Sequence, residues 1–205
     1  MSELLFNELP RPTFRWLRVN HTVSSLAGED TAVQSIAVEA NKNILSPLPV
    51  GTALLDGNYE GANKEAVHVL VEKAEGYAIN VPPKAKEVVG IRIDANARVA
   101  NRFQFIVGEG AELEVQFYVT GSGDALTNVS YLNEYDVKEA GKVVVKKVNL
   151  LPEHVQHIEH RYTKLEEKAD VEYINIEIGG SENILNYYHD LVGQESRMVH
   201  DIAYL

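Results

Sequence analysis

The chain has 205 residues, 45% hydrophobic and 24% charged, with 30 acidic against 19 basic side chains and a formal net charge of -11. It can bury a sizeable core and is not of disordered composition. The acidity, with no basic stripe to offset it, excludes electrostatic capture of nucleic acid or of an anionic membrane surface. The absence of cysteine excludes disulfides, thiol nucleophiles and CxxC-type metal sites.

From the N-terminus, SELLFNEL reads as a short helix capped by Ser2 and stopped by Pro10 and Pro12. TFRWLRVN then suits a strand or an arm lying across another surface, and Trp16 with Arg15 and Arg18 is its candidate docking element. TAVQSIAVEA alternates weakly, and SPLPVG is a break whose two prolines bound a turn. Asp56-Gly57 and Glu75-Gly76 are turn signals on either side of a strand-like VHVLVE. The expected division is an N-terminal extension over residues 1–61, mixing strand and short helix, and a repetitive core over 62–205. There is no run of about 18 apolar residues and no signal-peptide layout at the N-terminus, so a cytoplasmic protein is expected.

From Ala85 onward the chain repeats itself. A small residue opens an apolar, alternating run five times: AKEVVGIRI at Ala85, AELEVQFYV at Ala111, GKVVVKKVNL at Gly141, ADVEYINIEI at Ala169 and SRMVHDIAYL at Ser196, spaced by 26, 30, 28 and 27 residues. A second apolar column, Val107, Val137, Leu165 and Val192, stands four residues before each of the last four anchors. A period of this size holding strands predicts a solenoid whose turns stack on one another. Each turn holds two strands, one after the small anchor and one before the next: RFQFIV from Arg102, NVSYLNEYDV from Asn128, VQHIEHRYTKL from Val155 and NILNYYHDLV from Asn183.

Chemistry-bearing constellations are few. His154, His157 and His160 form an H-x2-H-x2-H run that invites a metal-site reading. On a strand, however, His154 and His160 share one face and His157 the other, so they are expected to be solvent-facing or ladder histidines. Glu109, Glu112, Glu114, Glu166, Glu167, Asp170 and Glu172 recur around the anchors and raise a calcium-dependent, polysaccharide-active β-helix as a third reading. Their outward positions favour solvating charge instead. The glycines of GEG at Gly108 and GSG at Gly121 lead into no helix and carry no phosphate-loop lysine, and there is no GxSxG elbow. The sequence points to no catalytic residue. The tyrosines concentrate in the repeat region, where they serve as core or interface side chains.

These repeats resemble the SufB/SufD family of iron-sulfur cluster assembly scaffolds over roughly Val67 to Leu205. The residues that carry the resemblance are YAINVPPKAKEVVGIRI (77–93), VGEGAELEVQFYV (107–119), EHRYTKLEEKADVEYINIEIGG (159–180) and HDLVGQESRMVHDIAYL (189–205). The N-terminal ELPRPTFRWLRVN is closer to SufD-like than to SufB-like chains. The resemblance implies an all-β fold, a right-handed parallel β-helix of about five turns after a mixed N-terminal segment. It also implies a non-catalytic scaffold subunit that joins a SufB-like partner through strand edges and sits on a SufC-like ATPase. The family's further turns, its C-terminal helical segment, its cluster-related cysteine and histidine positions and its ATPase-docking elements are expected to lie beyond Leu205, so the chain reads as C-terminally short. With no cysteine, an iron-sulfur cluster is expected only in a complex with a partner. The uncovered last strand, with Met198, His200, Ile202 and Tyr204, is the expected interface for a partner or for a second copy in a stand-alone homodimeric module.

Overall fold

A computed structural model describes residues 3–6, 22–25, 36–55, 64–122 and 127–205. Its elements are β1 (Glu3–Phe6), β2 (Thr22–Ser25), β3 (Ile36–Glu39), β4 (Leu45–Leu48), α1 (Lys64–Lys73), β5 (Gly76–Val81), β6 (Lys86–Asp94), β7 (Val99–Val107), β8 (Glu112–Thr120), β9 (Thr127–Val137), β10 (Lys142–Leu150), β11 (Val155–Leu165), β12 (Asp170–Glu177), β13 (Glu182–Leu191) and β14 (Arg197–Tyr204). The last ten strands form five stacked pairs, and each pair contributes one strand to each of two six-stranded sheets. The first sheet runs β14-β12-β10-β8-β6-β3 and the second β13-β11-β9-β7-β5-β4. All neighbours are parallel except β3 against β6 and β4 against β5. This is the expected parallel β-solenoid, with about four turns between β5 and β13.

The corner before each strand of the first sheet explains why a small residue recurs there. Lys84, Gly110, Ala140, Lys168 and Glu195 have φ of 62°, 63°, 55°, 56° and 58°, one left-handed residue per turn, each placed immediately before its small anchor. The amide of each of the first four donates to the turn above: Lys84 to Glu109 O, Gly110 to Glu139 O, Ala140 to Glu167 O and Lys168 to Gln194 O. A Cβ on the anchor Gly141 would lie 2.9 Å from both Lys138 O and Val137 Cγ1, so the corner has little room. The second column holds for Val107, Val137 and Leu165, all fully buried. It fails at Val192, which is 55% exposed. The register pairs Leu165 with Leu191, and the turn into β14 is one residue longer than the turn into β12.

Two apolar clusters hold the fold. One fills the lumen between the sheets, around Ile79, Val89, Phe103, Phe105, Val115, Phe117, Tyr131 and Tyr135. The other lies on the outer face of the second sheet, where Ala66, Val67, Leu70 and Val71 of α1 join Phe6, Leu54, Leu132, Ile158, Tyr162 and Ile184. Burial in α1 follows a 3.6-residue period, so VHVLVE is helical rather than strand-like: the alternation of Val67, Val69 and Val71 does not mark the face that packs. The expected N-terminal helix is likewise replaced, since Glu3–Phe6 pairs antiparallel with Thr22–Ser25. Pro47, expected in a turn, lies in β4, the edge strand, where a missing amide is tolerated.

Candidate functional site

The parallel register stacks inward-pointing positions into columns, and their chemistry changes along the stack. In the first sheet Val115, Val145, Tyr173 and His200 share one column. Phe117, Lys147, Asn175 and Ile202 share the next, and Val119, Asn149, Glu177 and Tyr204 the one after. Facing them, Tyr131, Glu159 and Leu185 align, as do Asn133, Arg161 and Tyr187, and Tyr135, Thr163 and His189. The lumen is therefore apolar and aromatic through β8 and charged from β10 onward.

The charged part is a four-membered chain of alternating sign. Glu177 pairs with the Lys147 ammonium, Lys147 Nζ with Glu159 Oε2 at 2.5 Å, and Arg161 Nη2 donates to Glu159 Oε1 at 2.6 Å, all with side chains unexposed. Unpaired, such charges would not survive burial; alternation offsets the desolvation of each. Burial alone pushes the Glu159 carboxyl up, but the charges of Arg161 and Lys147 outweigh it and hold it well below the usual carboxylate range. Burial likewise disfavours the Arg161 cation, and Glu159 more than compensates. The guanidinium lies between two rings, with Cζ 4.1 Å from the Tyr173 centroid and 4.3 Å from that of Tyr187.

His157 closes the acidic end. Asn183 Nδ2 donates to Gly179 O at 2.8 Å, which leaves Asn183 Oδ1 as the acceptor for His157 Nδ1 at 3.1 Å. His157 Nε2 then accepts from the Tyr131 hydroxyl at 2.9 Å. Burial, helped by the Lys147 charge, pushes this imidazole down to about 3, so it is neutral at pH 7. A second polar knot sits outside the lumen, between the second sheet and the 52–55 segment. There Arg102 bonds Thr52 O at 2.7 Å and Glu134 at 3.1 Å, and Glu134 accepts from the Leu55 amide.

The histidine run behaves differently from expectation. His154 lies in the turn before β11 and is half-buried, whereas His157 and His160 are both fully buried, not solvent-facing. They point to opposite faces of β11: His157 into the lumen, His160 onto Phe6, with ring centroids 6.1 Å apart. Among the described residues no group of three or more His, Cys, Asp or Glu is placed to hold a metal ion. Arg15, Trp16 and Arg18 lie outside the described residues. The recurring acids are exposed or half-buried, as in the Lys86–Glu112 and Lys146–Glu114 pairs. Among the described residues no helix is long and apolar enough to cross a membrane.

Met198, His200, Ile202 and Tyr204 share one face of β14, the inward one. Their backbone is placed with equal regularity. Arg197 N donates to Ala169 O and Leu205 N to Glu177 O, so odd-numbered residues of β14 bond toward β12. Alternation then turns the N–H and C=O of Met198, His200, Ile202 and Tyr204 to the open edge. Lys147, Glu159, Arg161 and Glu177 escaped sequence reasoning, although each has the parity of the apolar inward positions of its own strand.

A family model described as the SUF system FeS cluster assembly SufBD core domain matches residues 91–205, more than half of the chain. No curated protein and no solved structure matches it.

Proposed function

The chain belongs to the SufBD core family of the SUF iron-sulfur assembly system, and from that premise we propose that it is a SufD-like, non-catalytic scaffold subunit that associates through the open edge of β14. One observation carries this reading. Four consecutive outward peptide groups, at Met198, His200, Ile202 and Tyr204, form a ready hydrogen-bonding ladder at the end of the first sheet. An added strand would extend that sheet by the same spacing that stacks the turns, and the half-buried Met198, His200 and Ile202 would be covered in the same step.

The partner in this reading is a SufB-like subunit, with a SufC-like ATPase reached through the assembled complex, in the cytoplasm. The iron-sulfur cluster is cargo of that complex. A chain without cysteine supplies no thiolate to it, so sulfur ligation falls to the partner. A homodimer formed through the same edge is the second reading, favoured by the same open ladder. Light scattering during size-exclusion chromatography, of the chain alone and with a SufB-like protein from the same source, separates them. A heterodimer supports the scaffold subunit, and a particle of twice the 22.8 kDa chain mass supports the homodimer.

A further inference from the structure

The alternating chain of buried charges has unequal ends. At the acidic end Glu177 Oε2 accepts from Asn149 Nδ2 at 3.1 Å. At the basic end Arg161 spends only Nη2 on Glu159; its Nε and Nη1 are buried and have no hydrogen-bond partner among the described residues. Beside it, around the Tyr173 ring, stand two further groups in the same condition. Tyr135, 5.7 Å away between ring centroids, has a fully buried and unpartnered hydroxyl. His189, 5.5 Å from Tyr173, has both ring nitrogens buried without a partner. All three side chains offer N–H or O–H donors, and a buried donor left unmet has given up its hydrogen bond to water without replacement, at greatest cost for a charged group.

We propose that Arg161, Tyr135 and His189 form a binding site for a small inorganic anion of halide size, reached through the last rung between His189 and His200. The field at His189 is positive, because among the described residues the Arg161 guanidinium is the leading charge that acts on it. The same field argues against a cation between the two imidazoles, although their centroids are 6.2 Å apart. Burial first, and then the Arg161 charge, pushes both histidines down to about 4, which leaves them neutral N–H donors at pH 7. His200 Nε2 accepts from Asn175 Nδ2 at 3.2 Å, and His189 is the one of the pair whose ring nitrogens are both buried without a partner among the described residues. The site lies in the lumen of this chain, and a partner strand on β14 would cover its entrance beside His200.

The test is a bromide titration of the 205-residue protein at pH 7, with sodium bromide replacing sodium gluconate at constant ionic strength. Thermal midpoint and bromide NMR line width are the readouts. A saturable response is expected, and Tyr135→Phe, which deletes one donor with no protein partner, should raise the half-saturating concentration roughly tenfold. Tyr118→Phe, on the exposed outer face of the first sheet, should leave it unchanged. A response that does not saturate, or one that saturates at the same concentration in Tyr135→Phe, overturns the proposal.

Discussion

Lys147 Nζ lies 2.5 Å from Glu159 Oε2 in the interior of the solenoid, and the same ammonium is also paired with Glu177. It is the only described cation between two fully buried carboxylates, so its removal leaves one of them uncompensated. Lys147→Met should destabilise the protein by about 3–5 kcal/mol, read as a lower urea midpoint at unchanged slope. Adding Glu177→Gln restores charge balance in the lumen and should recover a large part of that loss. A double variant no more stable than Lys147→Met would show that the pairing is not what holds this rung.

Acid should weaken the fold earlier than carboxylate titration alone would. His160 is fully buried against Phe6 with neither nitrogen partnered among the described residues, and burial pushes it down to about 4. An unfolded histidine takes up its proton near pH 6.5, so the unfolded state binds more protons between about 6.5 and 4. Stability is therefore lost as pH falls through that window. At pH 5 the loss from this one residue is about 2 kcal/mol. His160→Leu should erase it, giving a variant whose advantage over the parent grows from pH 7 to pH 5 in denaturant titrations. An advantage that does not depend on pH would rule out protonation as the cause.

Gly193 is where the last rung closes on the one below it. A Cβ there would meet Glu167 N at 2.0 Å and Glu166 C at 2.2 Å, both backbone atoms that cannot yield cheaply. Gly193→Ala should detach the β13–β14 pair locally while the lower turns persist. Hydrogen exchange should then accelerate over 182–205 and stay slow in β7 to β10. Uniform acceleration would mean that the rungs unfold together.

Much of this architecture is legible in the sequence because two local rules coincide at every corner. A small anchor stands there, and period-two alternation follows it, so β8 runs from Glu112 to Thr120 as its apolar pattern predicts. What stays hidden has physical causes. Nearly every residue of β11 is buried, since the lumen covers one face and α1 with Phe6 the other, and alternation no longer separates inside from outside. Glu159 and Arg161 therefore give no local sign of being lumen charges that neutralise each other along β11. Val192 misleads for another reason: the longer turn into β14 shifts it out of the apolar column by one position. His160 is buried by Phe6, 154 residues away, which no local spacing announces.

The β14 edge makes a position-specific prediction. Ile202 points its amide outward and Ala203 points its amide at β12, so proline should be tolerated at the first and damaging at the second. Ile202→Pro should keep the thermal transition within a few degrees of the parent. Ala203→Pro removes a ladder bond and should cost about 3 kcal/mol or more. Equal damage at both positions would contradict the alternation that defines the open edge.

The central claim is that this edge accepts a partner strand, and the most direct measurement is the mass in solution of the chain mixed with a SufB-like protein from the same source, for the parent and for Ile202→Pro. The account predicts a stable complex with the parent and its loss in a folded Ile202→Pro protein. A complex of undiminished affinity with Ile202→Pro, or a parent that remains monomeric beside the partner, would contradict it.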